Sequence, residues 1–398
     1  MFASVHADRS GRVFVSEDHS AAGLGGSEAQ AIAESIALPA GVQLVPLERE
    51  AVALGRNGRP RPLGAGRLAV GALLPPGYAR LLAPAYRDDL AAADLDPAAF
   101  CAVGADDRGD LIVAARDLGL PHDDAPAEAP REAGALRQHP ANALARQLAR
   151  CARDHACRAA RAGLGGGALP VPLGAPPAER PRLPVALRSG YAGAPTERAA
   201  FRPTADEIVA IALDHAERGG TSVSFGRACD GEPLAAVRVL EATAARIRAV
   251  APACAIHVET SGSDPAAMRR AIDAGVGSVT VRIGSALAET YERLHGPVAH
   301  RWADVRASLQ TAAARGVRLT VAVLVLPGLT DRPAELGALV ALLGELPGGR
   351  LELRDLGADP LRALAAFPRA RARGVGALLD GFAEADHFRL RPLTEVAV

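Results

Sequence analysis

From residue 201 onward the chain alternates short apolar runs with helical stretches at the spacing of βαβ units, and this alternation restricts the fold more than any other feature. Strands are predicted at 221–226, 255–260, 278–284, 317–326 and 351–356. Helices are predicted at 204–219, 233–250, 265–274, up to 315, and 332–346. The strands read as near-continuous apolar runs, the pattern of strands covered on both faces. The expected fold class is α/β, a parallel (β/α) barrel, partial or complete. Residues 358–398 add one or two helices and a last strand at 387–393. The helix from Thr204 opens with a threonine followed three residues later by Glu207, the pattern of a capping box.

A chain of 398 residues is long for one domain, so a smaller module is expected ahead of the barrel. Residues 1–118 hold short apolar runs at 12–17, 41–47, 68–74 and 111–116, broken by Gly, Pro and Asn-Gly turns, and read as a mostly β domain. Its segment 71–86, with three prolines and two tyrosines, is expected to form an irregular wall against the larger domain. Residues 119–172 read as a linker followed by a helical stretch at 142–162, and 173–398 as the barrel with its extension. Hydrophobic residues are 49% of the chain and aromatics only 3%, so the core must be built from Ala, Val and Leu.

The net charge of +0 argues against nucleic acid or an acidic membrane surface as the main partner. The chain has no lysine, which removes Schiff-base and P-loop lysine chemistry. Its five cysteines, Cys101, Cys151, Cys157, Cys229 and Cys254, are odd in number and widely spread, which fits a reducing compartment. No stretch reaches the roughly 18 apolar residues of a membrane span, and the N-terminus lacks a leader pattern, so a cytoplasmic location is expected. His6, Asp8, Asp18 and His19 lack a spacing that fixes ligand geometry and read as surface residues.

The stretch 222–238 carries the chemistry. A strand runs into a loop containing Gly226, Arg227, Asp230, Gly231, Glu232 and Pro233, and a long helix follows. That order places backbone N–H groups and one carboxylate at the C-terminal edge of a parallel sheet, where α/β folds bind small molecules. Gly231 allows close approach to the backbone, and Pro233 suits the first helical turn.

At five successive strand ends the chain resembles the radical S-adenosylmethionine enzymes. SFGRACDGEP at 224–233 is similar to the second-strand motif, whose GEP segment binds the amino group of the methionine moiety. HVETSGS at 257–263 resembles the third-strand segment and SVTVRIGSALAETYERLHGP at 278–297 the fourth. VLPGLTDR at 325–332 resembles the fifth-strand loop, and RDLGADP at 354–360 the sixth. The resemblance implies a cleft for S-adenosylmethionine formed by Gly231, Glu232, Pro233, Glu259, Ser261, Arg282 and Asp355, with Glu232, Glu259, Arg282 and Asp355 converging from four strand ends. Glu232 is expected to face into that cleft, or else to pair with Arg227 or Arg282.

The departures are as informative. The family holds three irons of a four-iron four-sulfur cluster with CxxxCxxC after the first strand. Here the matching positions are Ala178, Arg182 and Val185, and the segment 173–201, expected to be irregular, contains no cysteine. Glu259, Ser261, Arg282, Gly284, Asp355 and Gly357 also stand where the family has other residues. The resemblance therefore implies a pseudoenzyme without cluster or metal, acting on a small-molecule ligand or a protein partner such as an active paralogue, with S-adenosylmethionine a candidate ligand. Two alternatives remain open. One is an active radical enzyme whose cluster is held by Cys151, Cys157 and Cys229, and the other is a non-radical barrel enzyme using Glu232 and Glu259 as acid and base beside Arg282.

Overall fold

The computed structural model describes residues 2–75, 77–89, 95, 99–119, 139, 141–154, 169–171, 173, 202–226, 232–295, 299–355 and 359–383. Six strands, β1 (Leu169–Val171), β2 (Ser222–Phe225), β3 (Ala255–Thr260), β4 (Ser278–Ile283), β5 (Arg318–Val325) and β6 (Arg350–Asp355), form one parallel sheet in chain order. Helix α1 (Ala143–Asp154) precedes the sheet. Between the strands run α2 (Ala205–Glu217), α3 (Val237–Val250) after a single 3₁₀ turn, α4 (Pro265–Asp273), α5 (Ala288–His295) and α6 (Trp302–Ala314) in succession, and α7 (Pro333–Gly344). Helices α8 (Pro360–Ala365) and α9 (Val375–Ala383) follow. Among the described residues β1 and β6 remain the outer strands, so the sheet is parallel but not a closed barrel. The strand expected at 387–393 lies outside the described residues.

The first strand of the sheet lies within 119–172, the segment read as linker and helix. Leu169, Pro170 and Val171 pair in parallel with Val223, Ser224 and Phe225, so the sheet begins before residue 173. A three-residue run between Ala168 and Pro172 has too little periodicity to be read as a strand, and only its partner makes it one.

Helix α2 begins as its sequence requires. Thr204 Oγ1 accepts from Glu207 N at 3.2 Å, and Glu207 Oε2 accepts from Thr204 N at 2.9 Å. The backbone N–H of Thr204 is the largest influence holding the Glu207 carboxyl below its ordinary range.

The parallel sheet is covered on both faces, as its runs suggest, yet the two faces are unlike. Val223, Phe225, Ile256, Val258, Val279, Val281, Val321, Val323, Leu351 and Leu353 join one core with helix residues such as Ile208, Ile211, Leu240, Ile247, Leu309 and Leu342. The alternate positions are polar. Register aligns Ser224 with His257, His257 with Ser278, Glu259 with Thr280, Arg282 with Ala322, and Ala322 with Glu352, so these residues share the opposite face. Single polar residues interrupt valine and leucine runs, and a run score hides what an alternation of period two reveals.

Among the described residues the N-terminal part is mostly β, with a nine-stranded antiparallel sheet and two smaller sheets. Ala3–Ala7 lies beside Val13–Ser20, Leu68–Ala72 and Cys101–Ala105. Ala7, Ala72, Cys101, Ala102, Ala105, Ala114 and Ala115 are fully buried, which is how a core poor in rings reaches close packing. The segment 71–86, expected to be irregular, carries the short strands Tyr78–Arg80 and Ala83–Pro84, and its Tyr86 donates its hydroxyl to Asp359 Oδ1 at 2.6 Å, beside Arg49 at 3.7 Å from Asp359. Backbones also meet, since a Cβ on Gly328 would lie 2.2 Å from the Gly26 Cα. The domain is thus seated against the loops that follow β5 and β6.

Candidate functional site

The site builds outward from the end of β2. Gly226 follows the strand with φ of +81°, and a Cβ there would lie 1.9 Å from the Glu259 carbonyl oxygen, so only glycine lets β2 turn this close to β3. The chain returns at Glu232, which is buried and forms the N-cap of the 3₁₀ turn Pro233–Ala236. Glu232 Oε1 accepts from Leu234 N at 3.1 Å and from the Thr260 hydroxyl. Glu232 Oε2 accepts from Ser261 N at 2.8 Å and from Ser261 Oγ at 2.7 Å. A carboxylate offers about four acceptor directions, and four donors of the chain occupy them.

Glu259 points to the polar face and is 1% exposed. Arg354 grips it with both terminal nitrogens, Nη1 to Oε1 at 2.8 Å and Nη2 to Oε2 at 3.2 Å, while Arg354 Nε donates to Glu352 Oε1 at 2.7 Å. Arg282 Nε lies 3.3 Å from Glu259 Oε1. Among the described residues two carboxylates and two guanidiniums thus form a charge-balanced network across β3, β4 and β6. Such a fork is among the stronger arrangements available to a buried arginine. Further along the same face, His257 Nδ1 lies 2.9 Å from Ser278 Oγ, and Ser224 Oγ is buried without a hydrogen-bond partner.

Asp355 leaves this network. It ends β6 and faces the N-terminal domain, 3.6 Å from Arg80 Nε, while Arg80 Nη1 donates to the Phe100 carbonyl at 3.2 Å. Burial pushes the Asp355 carboxyl above its ordinary range, and Arg80 offsets part of the effect. Nearby Cys101 donates to the Ala114 carbonyl at 3.2 Å, and burial pushes its thiol up to about 12. It is a protonated core thiol near neutral pH, not a ready ligand or nucleophile. Cys254 lies just before β3, at the sheet edge opposite Glu232.

The four charges expected to converge therefore do so only in part. Glu259 and Arg282 meet, Glu232 binds the tip of β3, and Asp355 pairs across to the N-terminal domain. Among the described residues the partners of Glu232 are hydroxyl and backbone groups and not Arg282, while its other expected partner, Arg227, lies outside them. Ser261 is at the site and Pro233 begins the turn. Gly231, Ala178, Arg182, Val185, Arg227, Cys157, Cys229 and nearly all of 173–201 lie outside the described residues. Cys151 lies on α1. His6 stacks on Phe14, Asp8 accepts from Ser10 N and Arg12 N within its own turn, Asp18 lies 3.9 Å from Arg56, and His19 lies near Ser16.

Sequence reasoning missed Arg354, Glu352 and Thr260. Glu352 and Arg354 stand two apart on one strand, which places them on one face, and that alternation was the available signal. Thr260 carried none, since its hydroxyl matters only because β2 and β3 are neighbours. No helix among the described residues is long and apolar enough to cross a membrane.

No protein-family model matches the chain, and no curated protein matches it. Among solved structures it is similar to a radical SAM methyltransferase from Sphaerobacter thermophilus, at 16% identity over 48% of this chain and 58% of that one, with a TM-score of 0.35. It is similar to the radical S-adenosylmethionine methyltransferase TsrM from Kitasatospora setae with cobalamin and [4Fe-4S] cluster bound, at 16% identity over 51% of this chain and 37% of that one, with a TM-score of 0.39. It is also similar to Streptococcus suis SuiB bound to S-adenosylmethionine, at 12% identity over 62% of this chain and 54% of that one, with a TM-score of 0.38. The chain spans less than two thirds of the length of each.

Proposed function

We propose that this protein is a barrel of the radical S-adenosylmethionine type that has lost its iron–sulfur cluster and works by binding, with a protein partner such as an active paralogue or a small polar ligand, in place of radical chemistry. The family assignment rests on the five strand-end motifs, carried here on β2 to β6 in their expected order. The loss rests on one observation: the segment between β1 and α2, 172–204, contains no cysteine. Three thiolates in that segment are what the family uses to hold its cluster, and alanine, arginine and valine side chains cannot replace them. The cysteines described in detail do not supply a substitute set. Cys101 is held protonated in the N-terminal core, and Cys254 lies at the far edge of the sheet. The donor set does not fit the cluster, and no catalytic step is derived through it.

The acid–base reading of Glu232 and Glu259 is weakened by their partners. Both carboxylates are buried, and each is engaged by other groups of the chain. The test of the proposal is anaerobic reconstitution of the full chain with ferrous iron and sulfide, followed by desalting. A colourless protein that keeps no iron is expected. A brown protein that retains iron and sulfide overturns the proposal and directs attention to Cys151, Cys157 and Cys229.

A further inference from the structure

The second cofactor of the resemblance, S-adenosylmethionine, also meets a poor fit. Its amino group is a cation that needs carboxylate or carbonyl acceptors with unused capacity. At the C-terminal edge of β2 and β3 the carboxylate in the matching position is Glu232. Its two oxygens already accept from Leu234 N, the Thr260 hydroxyl, Ser261 N and Ser261 Oγ.

Thr260 is fully buried and Ser261 is 2% exposed. An incoming ammonium that captured Glu232 would therefore leave a buried amide and one or two buried hydroxyls without their acceptor. Leaving buried donors unsatisfied is the costly half of hydrogen-bond exchange. The next carboxylate along the edge, Glu259, is held by Arg354 and flanked by Arg282, and Arg354 is further bound by Glu352. Among the described residues that network is balanced between two carboxylates and two guanidiniums, which leaves it little pull on a sulfonium cation.

We infer that this sheet edge is self-satisfied: hydroxyl, amide and guanidinium groups of the chain hold Glu232 and Glu259, the carboxylates that stand at positions matching the family's cofactor cleft. Glu232 is then a staple between the loop after β2 and the tip of β3, and the fold needs no ligand to complete it. The inference rests on the reading of this edge as the family's cofactor edge, and it concerns S-adenosylmethionine alone, not the cluster.

The experiment uses the full chain. Calorimetric titration of the wild type with S-adenosylmethionine is expected to give no saturable heat up to about 1 mM ligand, the range of weak binding. A ligand-free melt of Glu232→Gln is expected to lose several degrees of Tm, since one acceptor atom becomes a donor facing the hydrogen-bond donors on Ser261 or Thr260. Thr260→Val, which removes a single bond, is expected to fold and to melt lower than wild type, and Thr260→Ser to recover most of the loss. Saturable heat that disappears in Glu232→Gln overturns the inference. So does an unchanged Tm in both Glu232→Gln and Thr260→Val. Either result leaves the loss of the cluster standing, because iron retention is read separately.

Discussion

Arg354→Met removes the centre of the buried network and keeps much of the side-chain volume. The guanidinium makes three charge-assisted contacts, at 2.8 and 3.2 Å to Glu259 and 2.7 Å to Glu352. At about 1.5–3 kcal/mol each, the gross interaction is about 4.5–9 kcal/mol. Against it stands the desolvation of a guanidinium that is 1% exposed, a cost of several kcal/mol. The substitution leaves two buried carboxylates, with Arg282 3.3 Å from Glu259. Breaking a buried pair from one side costs about 3–5 kcal/mol, and that is the expected loss of unfolding free energy. Urea unfolding followed by far-UV circular dichroism measures it as a lower midpoint at unchanged slope. In the background of Glu259→Gln the same substitution is expected to cost at least about 1.5 kcal/mol less, because the charge it would strand is gone. A loss under about 1 kcal/mol in the single variant, or simple additivity in the double variant, refutes the network as an energetic unit.

Three further outcomes follow from the geometry. Tyr86→Phe deletes the hydroxyl donated to buried Asp359 at 2.6 Å and is expected to cost about 1–3 kcal/mol, read as faster proteolysis between the domains and a lower urea midpoint; equal behaviour to wild type would show that Arg49 suffices. Burial, the largest influence, raises the Asp331 carboxyl above its ordinary range, so its contribution to stability is present below that range and is lost as pH rises through the folded value. Asp331→Asn keeps Oδ1 for Gly328 N at 2.7 Å and is expected to melt above wild type near neutral pH, with the gap closing in acid; a gap that widens in acid reverses the sign and refutes the argument. Cys101, with its thiol pushed up to about 12 and no exposed surface, is expected to resist iodoacetamide in the native protein and to react after unfolding, as mass spectrometry of peptides reads; native labelling refutes its burial.

Much of the scaffold was legible because it depends on local pattern. The predicted strands at 255–260 and 278–284 match Ala255–Thr260 and Ser278–Ile283 closely, and the capping box of Thr204 and Glu207 forms as its spacing requires. Gly226, Glu232 and Pro233 were marked as a strand–turn–helix junction, and that is where they lie. The strand Leu169–Val171 was not legible, since three residues carry no period and its identity comes from pairing with β2.

The sequence alone determined which charged residues stand at strand ends, and that residues 172–204 contain no thiolate. Only the tertiary structure decided where those charges turn. Glu232 and Glu259 are both buried carboxylates near the same edge, yet one meets hydroxyl and amide donors while the other meets two arginines. The difference lies in register. Glu259 stands opposite Thr280 on the polar face, in reach of Arg282 and Arg354, whereas Glu232 leaves its loop beside the tip of β3, where Thr260 and Ser261 reach it first. A residue's partners are set by which strands become neighbours, and neighbours far apart in the chain leave no mark on the local pattern from which a sequence is read.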